Sequence, residues 1–289
     1  MKTTRYGVLG CGWFGEKHCE ALAAIPNVEL HAVCTRNPER LSEVAQRFGV
    51  KKTFTDYHAM LADPELEAVS ITTMWDQHAA PAIAALQAGK HVFLEKPMAS
   101  TIADCDAIVK AANVAKSFFM VGHICRFNPR YAAAKQEIAD GKIGKIVSMS
   151  ARRNLPAWIG ASVLDKIGPI IGDGVHDTDL MFWFSGSRAV SAYAQTVKFR
   201  DHTHPDLGQV MYRLESGASC LLEAVWCLPN TTPFQIDERL ETVWTGGDVY
   251  GPRSRTNADE RDLCGEESGP SDACRSRGRI RTINHRVGG

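Results

Sequence analysis

The 289-residue chain shows no excess charge of either sign, with 33 lysines and arginines against 33 aspartates and glutamates. Such a balance offers no electrostatic footprint for nucleic acid or for an anionic membrane surface. No run of about 18 apolar residues occurs, so no membrane span is expected. The opening residues, Met1-Lys2-Thr3-Thr4-Arg5, lead straight into a strand pattern, and no signal peptide is expected. Nine cysteines are scattered, and none forms a C-x-x-C pair. An odd, dispersed set without a secretory signal reads as reduced thiols in a cytoplasmic protein. No cluster of ligand residues has the spacing of a metal site, so no metal is expected. There is no internal repeat.

What is present is an ordinary apolar fraction of 44%, enough for a sizeable core, in a chain long enough for two domains. From Arg5 to about Gly122, strand and helix patterns alternate. Strands are predicted at Tyr6 to Leu9, Val28 to Cys34, weakly near Thr53-Phe54, at Ala68 to Thr72, His91 to Leu94 and Phe118 to Val121. Helices are predicted at Trp13 to Ile25, Pro38 to Phe48, Asp76 to Ala88 and Thr101 to Ala115. Pro38 suits a helix start and Gly89 a helix stop. This alternation predicts a parallel, doubly wound sheet, an α/β Rossmann domain over residues 1–122.

Beyond that boundary the pattern changes. Helices are expected at Pro129 to Asp140 and near His176 to Trp183. Longer strands are expected at Ile143 to Arg153, Val190 to Phe199, Gln209 to Leu214 and Ala218 to Trp226. Tight turns such as Ser216-Gly217 point to a mainly antiparallel open sheet, hence an α+β domain over residues 123–245. Residues 246–289 do not fit either pattern. Of these 44 residues only ten are apolar, eight are glycine and eight arginine, with no lysine. That composition suits a disordered tail, or an aberrant one produced by a shifted reading frame.

Gly10-Cys11-Gly12-Trp13-Phe14-Gly15 is a G-x-G-x-x-G element between a predicted strand and a predicted helix. That context is what a dinucleotide-binding turn needs. The glycines permit a tight turn and close approach of a pyrophosphate, and the helix start offers N–H groups and a favourable dipole. At the end of the second strand an acidic residue would bind the ribose of NAD. Here Cys34-Thr35-Arg36-Asn37 has no carboxylate. Thr35 with Arg36 suits a 2′-phosphate, so NADP is favoured over NAD; alternatively Arg36 stacks on adenine or faces solvent. Glu95-Lys96-Pro97 follows the strand His91 to Leu94, at the strand end where ligands bind in open sheets. A lysine there can touch a substrate hydroxyl.

Taken with three further segments, these motifs are similar to those of the Gfo/Idh/MocA family of NAD(P)-dependent oxidoreductases. The segments are Thr73 with His78, Ala88-Gly89-Lys90-His91-Val92 before Glu95-Lys96-Pro97, and Gly174-Val175-His176-Asp177-Thr178-Asp179. The resemblance runs from about Arg5 to Glu241. Gly122-His123-Ile124 and Arg126-Phe127-Asn128-Pro129 also resemble a subgroup that oxidises nucleotide-linked amino sugars at C3.

The resemblance implies a Rossmann domain followed by a domain whose sheet often forms the oligomer interface, here a homodimer or homotetramer. Lys96 is then the lysine that contacts nicotinamide and substrate, with its Lys–Pro bond often cis. His176 is the general acid/base, a role suited to imidazole; without the resemblance it reads as a helix-start histidine. Thr73, His78, Glu95, Pro97 and Arg126 join the glycine segment, Trp13 and Phe14 included, as cofactor contacts. Arg126, Arg152, Arg153 and Trp158 are expected near the substrate, although Arg152 and Arg153 also read as a solvated strand end. Relatives that oxidise alcohols usually carry an aspartate four residues before the histidine. Gly172 stands there, and Asp173 is the nearest carboxylate. Met74 replaces a common proline. The implied reaction is hydride transfer between nicotinamide and a secondary alcohol of a sugar, inositol or nucleotide sugar, with Lys96, His176 and Asp173 as the catalytic group. NAD-dependent glycosidases and non-catalytic dinucleotide sensors are the alternatives.

Overall fold

The computed structural model describes residues 2–246 and the backbone of Arg279–Ile280. Its contacts separate two units, Met1–His123 and the chain from Ile124 onward.

The first unit contains β1 (Thr4–Leu9), α1 (Trp13–Ala24), β2 (Val28–Cys34), α2 (Pro38–Phe48), β3 (Lys52–Phe54), α3 (Tyr57–Leu61), β4 (Ala68–Ile71), α4 (Ala79–Gln87), β5 (His91–Glu95), α5 (Ile102–Val114) and β6 (Phe119–Gly122). The strands lie in the order β3-β2-β1-β4-β5-β6, all parallel. Helices cover both faces, so the central strands are apolar throughout: every residue of β4 is buried, as are Val8, Ala32, Val33 and Leu94. Local chemistry sets the helix ends. Asn37 accepts from Arg40 N–H ahead of Pro38, Gly49 closes α2 at φ 68°, and Thr101 caps α5. The helix expected from Asp76 is split. Trp75–Gln77 forms a 3-10 turn and α4 begins only at Ala79. Pro81 has no N–H to offer the Gln77 carbonyl, so a continuous helix would lose that bond.

The second unit contains α6 (Pro129–Ala139), β7 (Ile146–Asn154), α7 (Ala157–Ala161), α8 (Val175–Ser185), β8 (Ala189–Val197), β9 (Leu207–Leu214), β10 (Ser219–Val225), β11 (Asp237–Trp244) and β12 (Arg279–Ile280). The sheet order is β12-β11-β7-β10-β9-β8. Only β7 and β10 run parallel; the other neighbours are antiparallel. One face packs Met149, Ala151, Val210, Leu222 and Leu240 against Leu180, Met181 and Phe184 of α8. The other face is open, with Tyr193, Met211 and Leu221 side by side in register and 71%, 52% and 41% exposed.

Strand β11 escapes the sequence patterns for a physical reason. Its inward positions are Glu238, Leu240 and Thr242, two of them polar. The expectation of a disordered or aberrant tail falls almost wholly outside the described residues. The exceptions are Gly246 and β12, which pairs with Thr242 and Val243.

Candidate active site

The glycine loop joins β1 to α1 at the point where the strand order reverses, next to β4. Gly10 has φ 100°, and a Cβ there would lie 2.7 Å from the Thr73 nitrogen. At Gly15 a Cβ would lie 1.9 Å from the Gly10 carbonyl oxygen. These two glycines let the loop, helix and β4 exit touch. Gly12 serves differently, since a Cβ there meets nothing within 4 Å. It precedes α1 without any side-chain cap. The first N–H groups of a 12-residue helix therefore face an open cradle in which a pyrophosphate fits. Thr72 Oγ1 donates to the Gly10 carbonyl at 2.6 Å, bracing the loop. Trp13 is exposed, and half-buried Phe14 packs edge-on against His18.

Arg40 is a support that sequence reasoning missed. Its Nε donates to the Cys11 carbonyl at 2.7 Å, and its guanidinium pairs with Glu16 and Glu43. Burial pushes the thiols of Cys11 and Cys34 up to about 11 and about 12, so both stay protonated at neutral pH. The seven described cysteines form no disulfides with one another. Thr35 is half-buried, and Arg36 is exposed with Nη2 donating to Gln77 Oε1 at 2.9 Å.

At the end of β5, Lys96 is half-buried and the Lys96–Pro97 bond is cis. Two neighbours expected to touch cofactor make bonds within the protein. Glu95 is 5% exposed, and its carboxylate accepts from the Lys96 N–H at 3.2 Å and meets His18 Nε2 at 3.1 Å. His78 is buried, with Nδ1 2.9 Å from the Pro97 carbonyl and Nε2 3.0 Å from that of Thr73. Both side chains face inward, onto the loop that carries Lys96. The Thr73 hydroxyl donates to the Gln77 carbonyl at 3.4 Å.

In the second unit, Ile170–Gly174 is one π-helical turn that runs directly into α8. His176 lies in the first turn of α8 and is buried; Asp173, three residues earlier, is half-exposed. A Cβ at Gly172 would lie 2.5 Å from Cη2 of Trp226, itself 2% exposed. Gly174 packs the same way onto Leu222. The glycines beside Asp173 thus give close packing, and the backbone at Gly174 stays right-handed, with φ −58°. A wide turn in place of left-handed glycines is what changes the helical register here.

Arg153 lies inside a buried ion cluster. Its guanidinium binds Asp177 through Nε at 2.8 Å and Nη2 at 3.1 Å, and Glu238 through Nη1 at 2.6 Å. Arg153, Asp177 and Glu238 are 4%, 1% and 9% exposed. The cluster ties β7, α8 and β11 together, and all of its guanidinium nitrogens meet carboxylates. Burial drives the Asp177 carboxyl up to about 6 against the pull of Arg153. Arg152 pairs with Asp237 at 3.0 Å and keeps part of its side chain exposed. Arg126 makes a two-pronged contact with Asp179, at 2.7 and 2.6 Å, and lies over the Trp183 ring. Trp158, on α7, is 55% exposed. Among the described residues, His31, Asp63 and Glu65 are spaced like metal ligands, but Lys52 Nζ already sits 2.9 Å from Asp63 and 2.6 Å from Glu65. No described helix is long and apolar enough to cross a membrane.

A parallel sheet of this order, with an open glycine cradle at its switch point and a lysine at a neighbouring strand end, defines a nicotinamide-dinucleotide oxidoreductase. Comparison with known proteins agrees. Residues 4–123 match the family described as an oxidoreductase family with an NAD-binding Rossmann fold, and residues 131–250 match the GFO/IDH/MocA C-terminal domain. The chain belongs to the Gfo/Idh/MocA family and is an NAD(P)-dependent dehydrogenase of CH–OH groups. It is 31% identical to a 4-carboxy-2-hydroxymuconate-6-semialdehyde dehydrogenase of Sphingobium sp., over 75% of this chain and 70% of that one. It is 27% identical to a myo-inositol 2-dehydrogenase of Thermotoga maritima, over 87% of this chain and 76% of that one. The structure of scyllo-inositol dehydrogenase from Lactobacillus casei with NAD(H) and scyllo-inositol superposes with a TM-score of 0.75 at 27% identity, covering 85% and 75% of the two chains.

Proposed function

We propose that this protein moves a hydride between nicotinamide and a ring secondary alcohol of a cyclitol or sugar. The bound dinucleotide supplies the hydride chemistry. Lys96 polarises the reacting oxygen, and His176 takes or returns its proton. The observation that carries this reading is the helical run from Asp173 through His176. Asp173 lies in the wide turn that leads directly into the first turn of α8, where His176 stands. Asp173 thereby suits the part of the carboxylate that Gly172 lacks, holding His176 or an adjacent hydroxyl. Arg152, Trp158 and Arg126 are further candidates for the substrate side, and the names of inositol-oxidising relatives support a cyclitol.

NADP is the favoured cofactor, because no carboxylate follows β2 and the exposed Arg36 guanidinium suits a phosphate. A homodimer or homotetramer through the open sheet face suits the exposed row of Tyr193, Met211 and Leu221. Cysteines without disulfides among them suit a reducing, cytoplasmic setting.

The test is a screen of NAD and NADP reduction against inositols, free sugars and nucleotide sugars. Turnover with a cyclitol or sugar is expected. Reducing sugar released without net NADH would instead mark a glycosidase, and cofactor binding without turnover a sensor.

A further inference from the structure

Two histidines, half-buried His18 and buried His78, grip the Lys96–Pro97 segment at both ends, and neither lies in the glycine loop. On the upstream side the Lys96 N–H donates to Glu95 Oε2 at 3.2 Å, while Glu95 Oε1 meets His18 Nε2 at 3.1 Å. His18 Nδ1 in turn meets Ser70 Oγ at 3.0 Å, which lies 3.4 Å from the Tyr6 hydroxyl. Side chains of α1, β4 and β1 thus stand behind one peptide N–H at the end of β5. On the downstream side His78 Nδ1 lies 2.9 Å from the Pro97 carbonyl, and Nε2 ties the same ring to the Thr73 carbonyl. The exit of β4 and the segment after β5 are joined through that ring.

We propose that His18 and His78 are positioning residues for Lys96, fixing the backbone from which its amine reaches the reacting oxygen. The inference rests on the reading of Lys96 as the residue that polarises that oxygen.

Lysine has a long, flexible side chain, so the place of its amine depends on how firmly its Cα is held. A misplacement of about 1 Å at a reacting group costs up to about 10²-fold in rate. Simple packing does not explain the two rings. An apolar ring would fill either space, yet every ring nitrogen is aimed at a polar atom within 3.1 Å. Carbonyl oxygens only accept, so a neutral His78 ring donates to one of the two carbonyls while the other nitrogen lies against the second. Burial outweighs the carbonyl contacts and the Glu95 carboxylate and holds the His78 pKa below its ordinary value, which favours that neutral ring. Glu95 therefore faces both histidines, bonded to one and acting on the other through its charge.

The test uses His18→Phe and His78→Phe, which keep a ring and remove the donors, with His78→Gln as the conservative variant. In the phenylalanine variants kcat should fall about tenfold or more, within what misplacement of a reacting group costs. KM for the dinucleotide should change by less than about threefold, because the glycine loop holds the pyrophosphate. His78→Gln, whose amide N–H can donate to one of the two carbonyls, should recover part of the loss. A second readout needs no turnover. Acylation of Lys96 by an N-hydroxysuccinimide acetate, followed by peptide mass spectrometry against exposed Lys51, should change about threefold or more in the phenylalanine variants. Unchanged kcat and unchanged Lys96 acylation in folded variants overturn the proposal. Should the phenylalanine variants not fold, Glu95→Gln decides on the same two readouts, with the same fall expected. Full turnover in Lys96→Ala would remove the catalytic reading of the lysine and leave the acylation test of its positioning standing.

Discussion

The two units differ in the depth of their arginine and lysine ion pairs, although each also carries pairs at its surface. In the first, the ion pairs lie mostly near the surface, as with Arg47 between Glu16 and Glu20, and Lys52 between Asp63 and Glu65. In the second, Arg153, Asp177 and Glu238 meet in the interior. One carboxylate in each unit records the difference. Burial alone would raise Asp63, but hydrogen bonds from Lys52, the Glu65 N–H and His31 outweigh it and hold the group at about 2. Asp177 has only Arg153 to set against deeper burial, and rises to about 6. An ion pair within reach of water can be varied singly, whereas the buried cluster must keep three distant residues together.

The sharpest way to break this contrast is Arg153→Ala. It leaves two carboxylates buried without their counter-charge and should cost about 3–5 kcal/mol of stability. Arg47→Ala in the first unit should cost about 1 kcal/mol or less. Urea unfolding of both variants measures the pair, and equal losses would erase the distinction. Turnover is the next largest effect. Lys96→Ala should lower it by about 10²-fold with little change in dinucleotide affinity. Asp173→Asn should also slow hydride transfer and move the ionisation seen in its pH profile. An unchanged profile would take Asp173 out of the site. Cofactor choice follows: Arg36→Ala should weaken NADP by about 10- to 10²-fold, the range of one charge-assisted contact, and leave NAD nearly unchanged. Equal losses in the two dissociation constants would count against a phosphate role.

Stability against pH gives the mildest test. Asp63, lowered from 3.8 to about 2, contributes stability that is present above the unfolded value and lost as pH falls through about 2. Asp177, raised from 3.8 to about 6, contributes in the opposite sense: stability present below 3.8 is lost as pH rises through about 6. Asp63→Asn should therefore flatten the acid limb, and Asp177→Asn the stretch between about 4 and about 6, in thermal melts. Matching effects of the two variants on one limb would show that the carboxylates do not differ.

How far the sequence could be read follows the same division. The first unit was legible because its chemistry is local: the glycines, Asn37 before Pro38 and Thr101 before α5 each act within a few residues. Its inward-facing members were not. Glu95 and His78 sit inside recognisable motifs, yet the direction of a side chain depends on what packs behind it, and His18, Ser70 and Tyr6 come from three other elements. His18 stands three residues after Gly15, and that position is the one signal that could have drawn attention to it. In the second unit, Arg152 and Arg153 are adjacent in a strand and so point to opposite faces. Sequence alone does not say which face is buried, and the inward one turned out to be Arg153. Strand β11 was lost because its partner contacts replace the apolar alternation by a charge, Glu238, whose mate lies 85 residues away.

Trp226 makes one position of the chain a matter of history. Its indole occupies the volume that any side chain at 172 would need, and Gly160 leaves room for its backbone on the other side. A lineage carrying that indole cannot regain an aspartate at 172 by a single change, because the new Cβ would meet a buried ring before it could offer a carboxylate. The tryptophan must shrink first, and that intermediate bears an unfilled core with no compensating gain. The two substitutions are therefore favourable only in one order or not at all. A library built on this scaffold should vary 172 and 226 as a pair.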